Sequence, residues 1–407
     1  MLSNGFGSGF WERFVIQTAH ANAAIFRSIV ALSTLLEDVS KWQMSWAVGL
    51  QAPVNETTKS ALGHYGMALR QLSDHPQGSQ SMNIISLTSC LLFSCIESLV
   101  GNLRGSENLT TAGLKILSQT EPANICLESS GPLKSFLPVF MRMDSFFVQL
   151  QRTLSPKYQP PFTFQAFRSV PSSFSSLSEA TYYLDALINM SHRLGDSARD
   201  PSALQLCRGL YERWNSAFRL LLARQVSHMD KAEGRNLCLC HVWRLDTHLT
   251  LFGPQEGELQ VAWDSHEPSF RELLSYASSL SGLGSETDVG QPTSFSLGGG
   301  IFFPLARLGF RCRDPCIRRA VISLLSRHSQ AEGPLLGPIA ARILKRIVAV
   351  EEFGLGEVSD SSDVPEQARV TSVSVRLRGK GNGAGISYSR LMSSDSGLRV
   401  TVYDVVL

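Results

Sequence analysis

Apolar residues recur at spacings of three and four along most of this chain, and the period drops to two only near its end. The helical pattern is clearest over 311–352. Asp314 stands where an N-cap accepts from the first turn, and Pro315 suits the first helical position. Ile317, Ala320, Val321, Leu324 and Leu325 then form one apolar face. Gly333, Pro334, Gly337 and Pro338 break the chain. A second helix follows, with Ile339, Ile343 and Ile347 on one side and Arg342, Lys345 and Arg346 turned away. Such a hairpin needs a body to pack on.

The same reading predicts helices over 10–18, 21–39, 109–117, 133–150, 178–193, 201–226, 235–251 and 266–280. The stripe Leu62, Tyr65, Leu69 and Leu72, followed by the nearly all-apolar 84–99, predicts a buried helical pair like that of a tetratricopeptide repeat. No second copy recurs at a fixed period. Connections fall at 40–56 (with Trp42, Trp46 and Pro53), His75–Gly78, 121–132, 153–178 and 281–298. Val370, Val373, Val375 and Leu377 alternate as a strand does, Gly379–Gly383 turns the chain, and 386–391 and 400–403 supply two more strands. The expected fold is mainly α: a large irregular helical bundle with tetratricopeptide-like hairpins and a small C-terminal sheet. Residues 1–355 form the helical domain, and 356–407 form a linker and β-rich tail packed on it.

Composition adds bounds. An apolar fraction of 43% with 18% charged residues fits a folded body. The net charge of +2 lacks the basic excess usual in nucleic-acid-binding domains. The eight cysteines are scattered and no export signal opens the chain, which points to buried, reduced thiols in cytosol or nucleus. The longest apolar run, 84–100, is too diluted by serines to span a membrane.

Candidate chemistry is sparse. Gly381-x-Gly383-x-Gly385 lies between strands and Gly5-x-Gly7-x-Gly9 follows none, so neither has the strand-to-helix context of a phosphate loop. Cys238, Cys240, His241 and His248 offer thiolate and imidazole ligands, but 238 and 240 point about 200° apart on a helix. Cys312 and Cys316 lack a second ligand pair. Arg311, Arg313, Arg318, Arg319 and Arg327 invite a phosphate reading. An Arg318–Asp314 pair at a solvated rim explains them without it. His64, beside Tyr65, reads as a half-buried structural histidine. No catalytic, cofactor-binding or metal residue is assigned, and no enzyme activity is expected.

The run Cys312-Arg313-Asp314-Pro315-Cys316-Ile317-Arg318-Arg319-Ala320-Val321-Ile322-Ser323-Leu324-Leu325 resembles a segment near the C-terminus of fungal zinc-cluster transcription factors. Phe10–Arg13 with Ile25–Leu36, Ala61–Leu69, Leu91–Glu97, Phe302–Leu305, and Val364–Glu366 with Arg369-Val370 agree with that family in order. The likeness covers nearly the whole chain and concerns the family's helical effector region. It implies control of transcription in the nucleus, for a metabolic or secondary-metabolite pathway, with other transcription factors or co-regulators and a small-molecule effector as partners. The family's six-cysteine zinc module is absent from this sequence, so no cofactor and no direct DNA contact are expected. Two variants follow: a truncated product, or a partner of another DNA-bound factor. The rival expectation is a pathway enzyme, or a small-molecule-binding or scaffold protein, on the same helices.

Overall fold

Asn22 shows how local chemistry cuts the first apolar stretch. Its side-chain oxygen accepts the Ala24 and Ile25 N–H groups at 2.9 and 3.1 Å, ending one helix and starting the next. The computed structural model describes residues 10–42, 55–73, 80–120, 135–154, 169–194, 201–224, 230–255, 258–282, 295–296, 298–327, 331–332, 337–377, 384–391 and 399–406. A π-helical turn (Phe10–Val15) leads into α1 (Ile16–Ala21) and α2 (Ala23–Trp42). Then come α3 (Glu56–Ser73), α4 (Gln80–Leu99) and α5 (Leu103–Thr120). Gly101, at φ 87°, turns the chain between α4 and α5 in a conformation that side chains disfavour.

The predicted pair formed by Ala61–Leu69 and Leu91–Glu97 has a third member. Helix α2 packs against both α3 and α4. Tyr65 bridges the two directly, its ring 4.9 Å from Phe93 and its hydroxyl donating to Glu97 at 2.6 Å. Gly113 of α5 lets the next layer approach closely, because a Cβ there would fall 2.1 Å from the Phe140 ring.

That layer comprises α6 (Phe136–Leu154), α7 (Leu177–Leu194), α8 (Pro201–Arg224) and α9 (Lys231–Phe252). Asp230 and Glu233 form a capping box at the start of α9. Trp214 is wholly buried and donates its indole N–H to Ala180 O at 2.8 Å, tying α8 to α7. A 3₁₀ segment (Gln260–His266) precedes α10 (Glu267–Gly282), and α11 (Phe302–Arg311), α12 (Pro315–Arg327) and α13 (Gly337–Glu351) follow. The helix at 302–311 is not among the predicted ones; Pro304 sits in its first turn, where a missing N–H is harmless. On α13 the buried face is Ala340, Ala341, Leu344, Ile347 and Glu351, with Ile339 and Ile343 moved to its flank.

A short parallel pair joins β1 (Phe295–Ser296) to β2 (Ala331–Glu332). Strands β3 (Val370–Leu377), β4 (Ala384–Leu391) and β5 (Arg399–Val406) form an antiparallel sheet in that order. The architecture is therefore mainly α with a small C-terminal sheet, as the periodicity predicts. One apolar core runs from Phe10 to Leu344. No described helix is long and apolar enough to cross a membrane. Trp46, Pro53, Gly5–Gly9, His75–Gly78, 121–132, Cys126, 155–168, 283–294, Gly333, Pro334 and the Gly379–Gly383 turn lie outside the described residues.

Candidate binding cleft and charged node

Helix α12 starts as predicted: Asp314 Oδ1 accepts the Ile317 N–H at 2.7 Å. The solvated rim of arginines does not hold for two of them. Arg318 is buried; instead of pairing with Asp314 it sets Nη2 2.6 Å from Glu351 Oε2 and donates Nε–H to Gly309 O at 3.1 Å. Arg313 is buried as well. It donates to Glu351 Oε1 at 2.8 Å, to Val370 O at 2.9 Å and to Arg311 O at 2.8 Å. The reason is Glu351, which α13 brings in from the far end of the hairpin and which also accepts the Val370 N–H at 2.6 Å. Burial alone would raise its carboxyl, but Arg318, Arg313 and that N–H hold it below the usual range. Asp314 pairs with Arg271 at 3.1 Å, while Arg319 and Arg327 face solvent as expected.

A second clasp lies beside this node. Arg369 is fully buried and donates to both Asp264 oxygens at 2.7 Å, and to Val364 O, Ser361 O and Gln260 O. The Glu366 carboxylate accepts the Gln260 and Val261 N–H groups at 2.9 and 2.8 Å, capping the 3₁₀ segment. The stretch leading into the sheet is thus fastened to the helical body by charge.

A small cleft lies between α6, α7, α9 and α11. On α6, Arg142, Ser145, Phe146 and Gln149 share a face because they are three, four and seven residues apart. Asp185 and Ile188 come from α7, Trp243 from α9 and Phe303 from α11. Gly298 and Gly299, at φ 87° and 85°, close one wall; a Cβ on Gly298 would fall 2.5 Å from Arg142 O. Arg142 grips Asp185 with Nε at 2.8 Å and Nη2 at 2.7 Å. Burial pushes the Asp185 carboxyl up even against that cation. Ser145 donates to Met141 O and accepts from Asn189, so its hydroxyl is committed and not poised as a nucleophile. Behind it, Asp144 takes Asn189 and Arg193, both at 2.6 Å. Arg307 reaches Gln149 and holds Asp246 through both oxygens.

The remaining candidates separate. Cys240 and His241 are buried side by side on an unbroken α9, but Cys240 turns inward near Thr181 and His241 stacks flat on Tyr276 at 4.3 Å. Cys238 is half-buried and His248 stacks on Phe252. Cys312 is buried and Cys316 exposed. Gly385 lies within β4, and His64 is half-buried on α3. Among the described residues no three His, Cys, Asp or Glu side chains converge as a metal site would require. The cleft residues went unnoticed in the sequence, although a signal exists: Asp144, Gln149, Asp185 and Asn189 interrupt otherwise buried helical faces. No family model, curated protein or solved structure matches the chain.

Proposed function

We propose that the chain is a transcriptional regulator, built like the helical effector region of fungal zinc-cluster factors and acting through contact. One observation supports this most. Stretches that resemble the family at separate points of the sequence meet in the node and in the clasp beside it. Helix α11, which begins Phe302–Leu305, supplies Gly309 O to Arg318; the Cys312–Leu325 run supplies Arg313 and Arg318; Glu366, Arg369 and Val370 close the far side. On this reading the protein works in the nucleus with other transcription factors or co-regulators, on a metabolic or secondary-metabolite pathway. Sequence-selective DNA contact comes from its partner.

The test joins the chain to a heterologous DNA-binding module and reads a reporter. Output should change, and the change should vanish in Glu351→Ala, while the chain alone shows no salt-resistant, sequence-selective binding to promoter DNA. A folded fusion that leaves the reporter unmoved defeats the proposal. The second reading, a pathway enzyme, draws on the raised Asp185 carboxyl in the cleft. Turnover of a substrate that Asp185→Asn abolishes without unfolding the chain would favour it.

A further inference from the structure

Arg311, at the end of α11, has no carboxylate in hydrogen-bonding contact, although Asp246 lies near enough to favour its charge. Its guanidinium carbon lies 4.5 Å from the centroid of Trp263. Its side chain makes no hydrogen bond or ion pair with any described residue, although it is half-buried. The acids nearby are committed elsewhere. Arg307 clamps both oxygens of Asp246, Arg244 takes Glu272 at 2.7 Å, and Arg271 takes Glu267 at 2.6 Å and Asp314 at 3.1 Å. Arg244, Arg271, Arg307 and Arg311 together face Asp246, Glu267, Glu272 and Asp314, so the group balances in charge, but every carboxylate is held by an arginine other than Arg311. His266 stands 5.6 Å from Trp263, and His248 comes next. Burial, then Arg311, lowers His266; burial, then His266, lowers His248. Both imidazoles are thus neutral at pH 7, each with an N–H to give. Burial, with Arg307 adding, brings Arg311 itself down to about 10, so it stays protonated.

We propose that this recess, formed by the end of α11, the 3₁₀ segment and α9, binds a small oxyanion, a carboxylate or a phosphate, on the edge of Arg311. Trp263 covers one face of the guanidinium and fixes its plane, leaving the fork of N–H donors for two acceptor oxygens. His266 supplies a further donor from the side. The site is separate from the α6–α7–α9 cleft, and binding there does not depend on the regulatory reading.

The experiment is thermal unfolding of the full chain at pH 7 and fixed ionic strength, with sodium chloride replaced stepwise by inorganic phosphate or by citrate. The expected result is a saturating rise in Tm with at least one of the two anions, absent in Arg311→Gln. A rise with citrate alone assigns a carboxylate, and one with phosphate alone assigns a phosphate. In chloride, Arg311→Gln should melt close to the unaltered chain, because the substitution breaks no hydrogen bond or ion pair of that side chain. The His266 imidazole, followed by NMR, should titrate at higher pH once the anion saturates. Equal rises in both proteins, or no rise in either, would each overturn the proposal. Should the Arg311→Gln chain fail to fold, Arg311→Lys separates the roles: a stable lysine variant that still gains Tm with anion supports the proposal, and one that gains none ends it.

Discussion

The helices before Thr120 and those after Phe136 bury polar groups in opposite ways. In the first set every buried polar side chain among the described residues is a serine or threonine. Ser94 Oγ donates to Ser106 O at 2.9 Å, Ser106 Oγ returns the bond to Ser94 O at 2.6 Å, and Thr110 joins at 3.0 Å. Small hydroxyls let α4 and α5 come close and satisfy each other's backbone without any group that titrates. The second set buries Asp144, Asp185, Asp246, Arg313, Arg318, Glu351 and Arg369. Such charges add little net stability over apolar packing, but a mispaired one is costly, so they dictate which distant segments meet. One half is closed by fit and the other by matching charges.

The severest way to break that contrast is Glu351→Ala. It strands Arg313 and Arg318 in a dry interior and removes the Val370 N–H acceptor. Urea unfolding should register a loss of about 3–5 kcal/mol. Amide protection should fall first in α12, α13 and β3 and last in α4 and α5. Replacing all three members by apolar residues of similar volume should recover most of the loss. A loss spread evenly over both halves would show that the node does not specify its own region.

Acid should find the same boundary. His241 is buried, stacked on Tyr276, and held down to about 4 by burial and then by Arg244. As pH falls from 6.5 towards 4, the unfolded chain takes up a proton that the folded chain refuses, so stability drops across that window. The drop should amount to about 2 kcal/mol after allowance for solvent screening. His241→Phe keeps the stack and should flatten this limb in urea titrations at pH 7 and 4.5. Below it, Glu351, whose carboxyl is held under its ordinary value, contributes a further loss as it protonates. An acid limb unchanged by His241→Phe would place the titrating group elsewhere.

A gentler probe lies on the neutral side. Ser94→Ala removes one donor from the hydroxyl cluster while Ser106 O keeps the Thr110 hydroxyl, for a loss of about 1 kcal/mol with no pH dependence between 4 and 7. The two halves also differ in how far their sequences announced them. Periodicity sufficed to place helices α2–α5, but on α3 the expected buried stripe is wrong: Leu62 and Leu69 are exposed, and Thr58, Ala61 and Ala68 are buried in their place. It failed at Arg313 and Arg318, since a charged residue reads as solvent-facing until its partner is known, and Glu351 lies on another helix. It failed again at α11, a ten-residue helix with Pro304 in its first turn, although Arg307 and Arg311, four apart, mark a polar edge. The cleft was hidden for a related reason. Arg142 and Asp185 are 43 residues apart, and only the packing of α6 on α7 cancels their charges. Asp314, by contrast, needs nothing beyond its own turn, and its cap was evident from Asp-Pro alone.

That residue gives the smallest and cleanest distinction, because it does two jobs that two substitutions separate. Its Oδ1 caps α12 through the Ile317 N–H, and its Oδ2 meets Arg271, whose side chain is 56% exposed. Asp314→Ala loses both, for about 1 kcal/mol, nearly all from the cap. Asp314→Asn keeps an acceptor for Ile317 and loses the charge, so only a few tenths of a kcal/mol should go. If the loss in Asp314→Asn approached that in Asp314→Ala and faded in salt, the exposed pair and not the cap would be holding the helix start. Charge would then organise this half even at its solvent edge, which the exposure of Arg271 argues against.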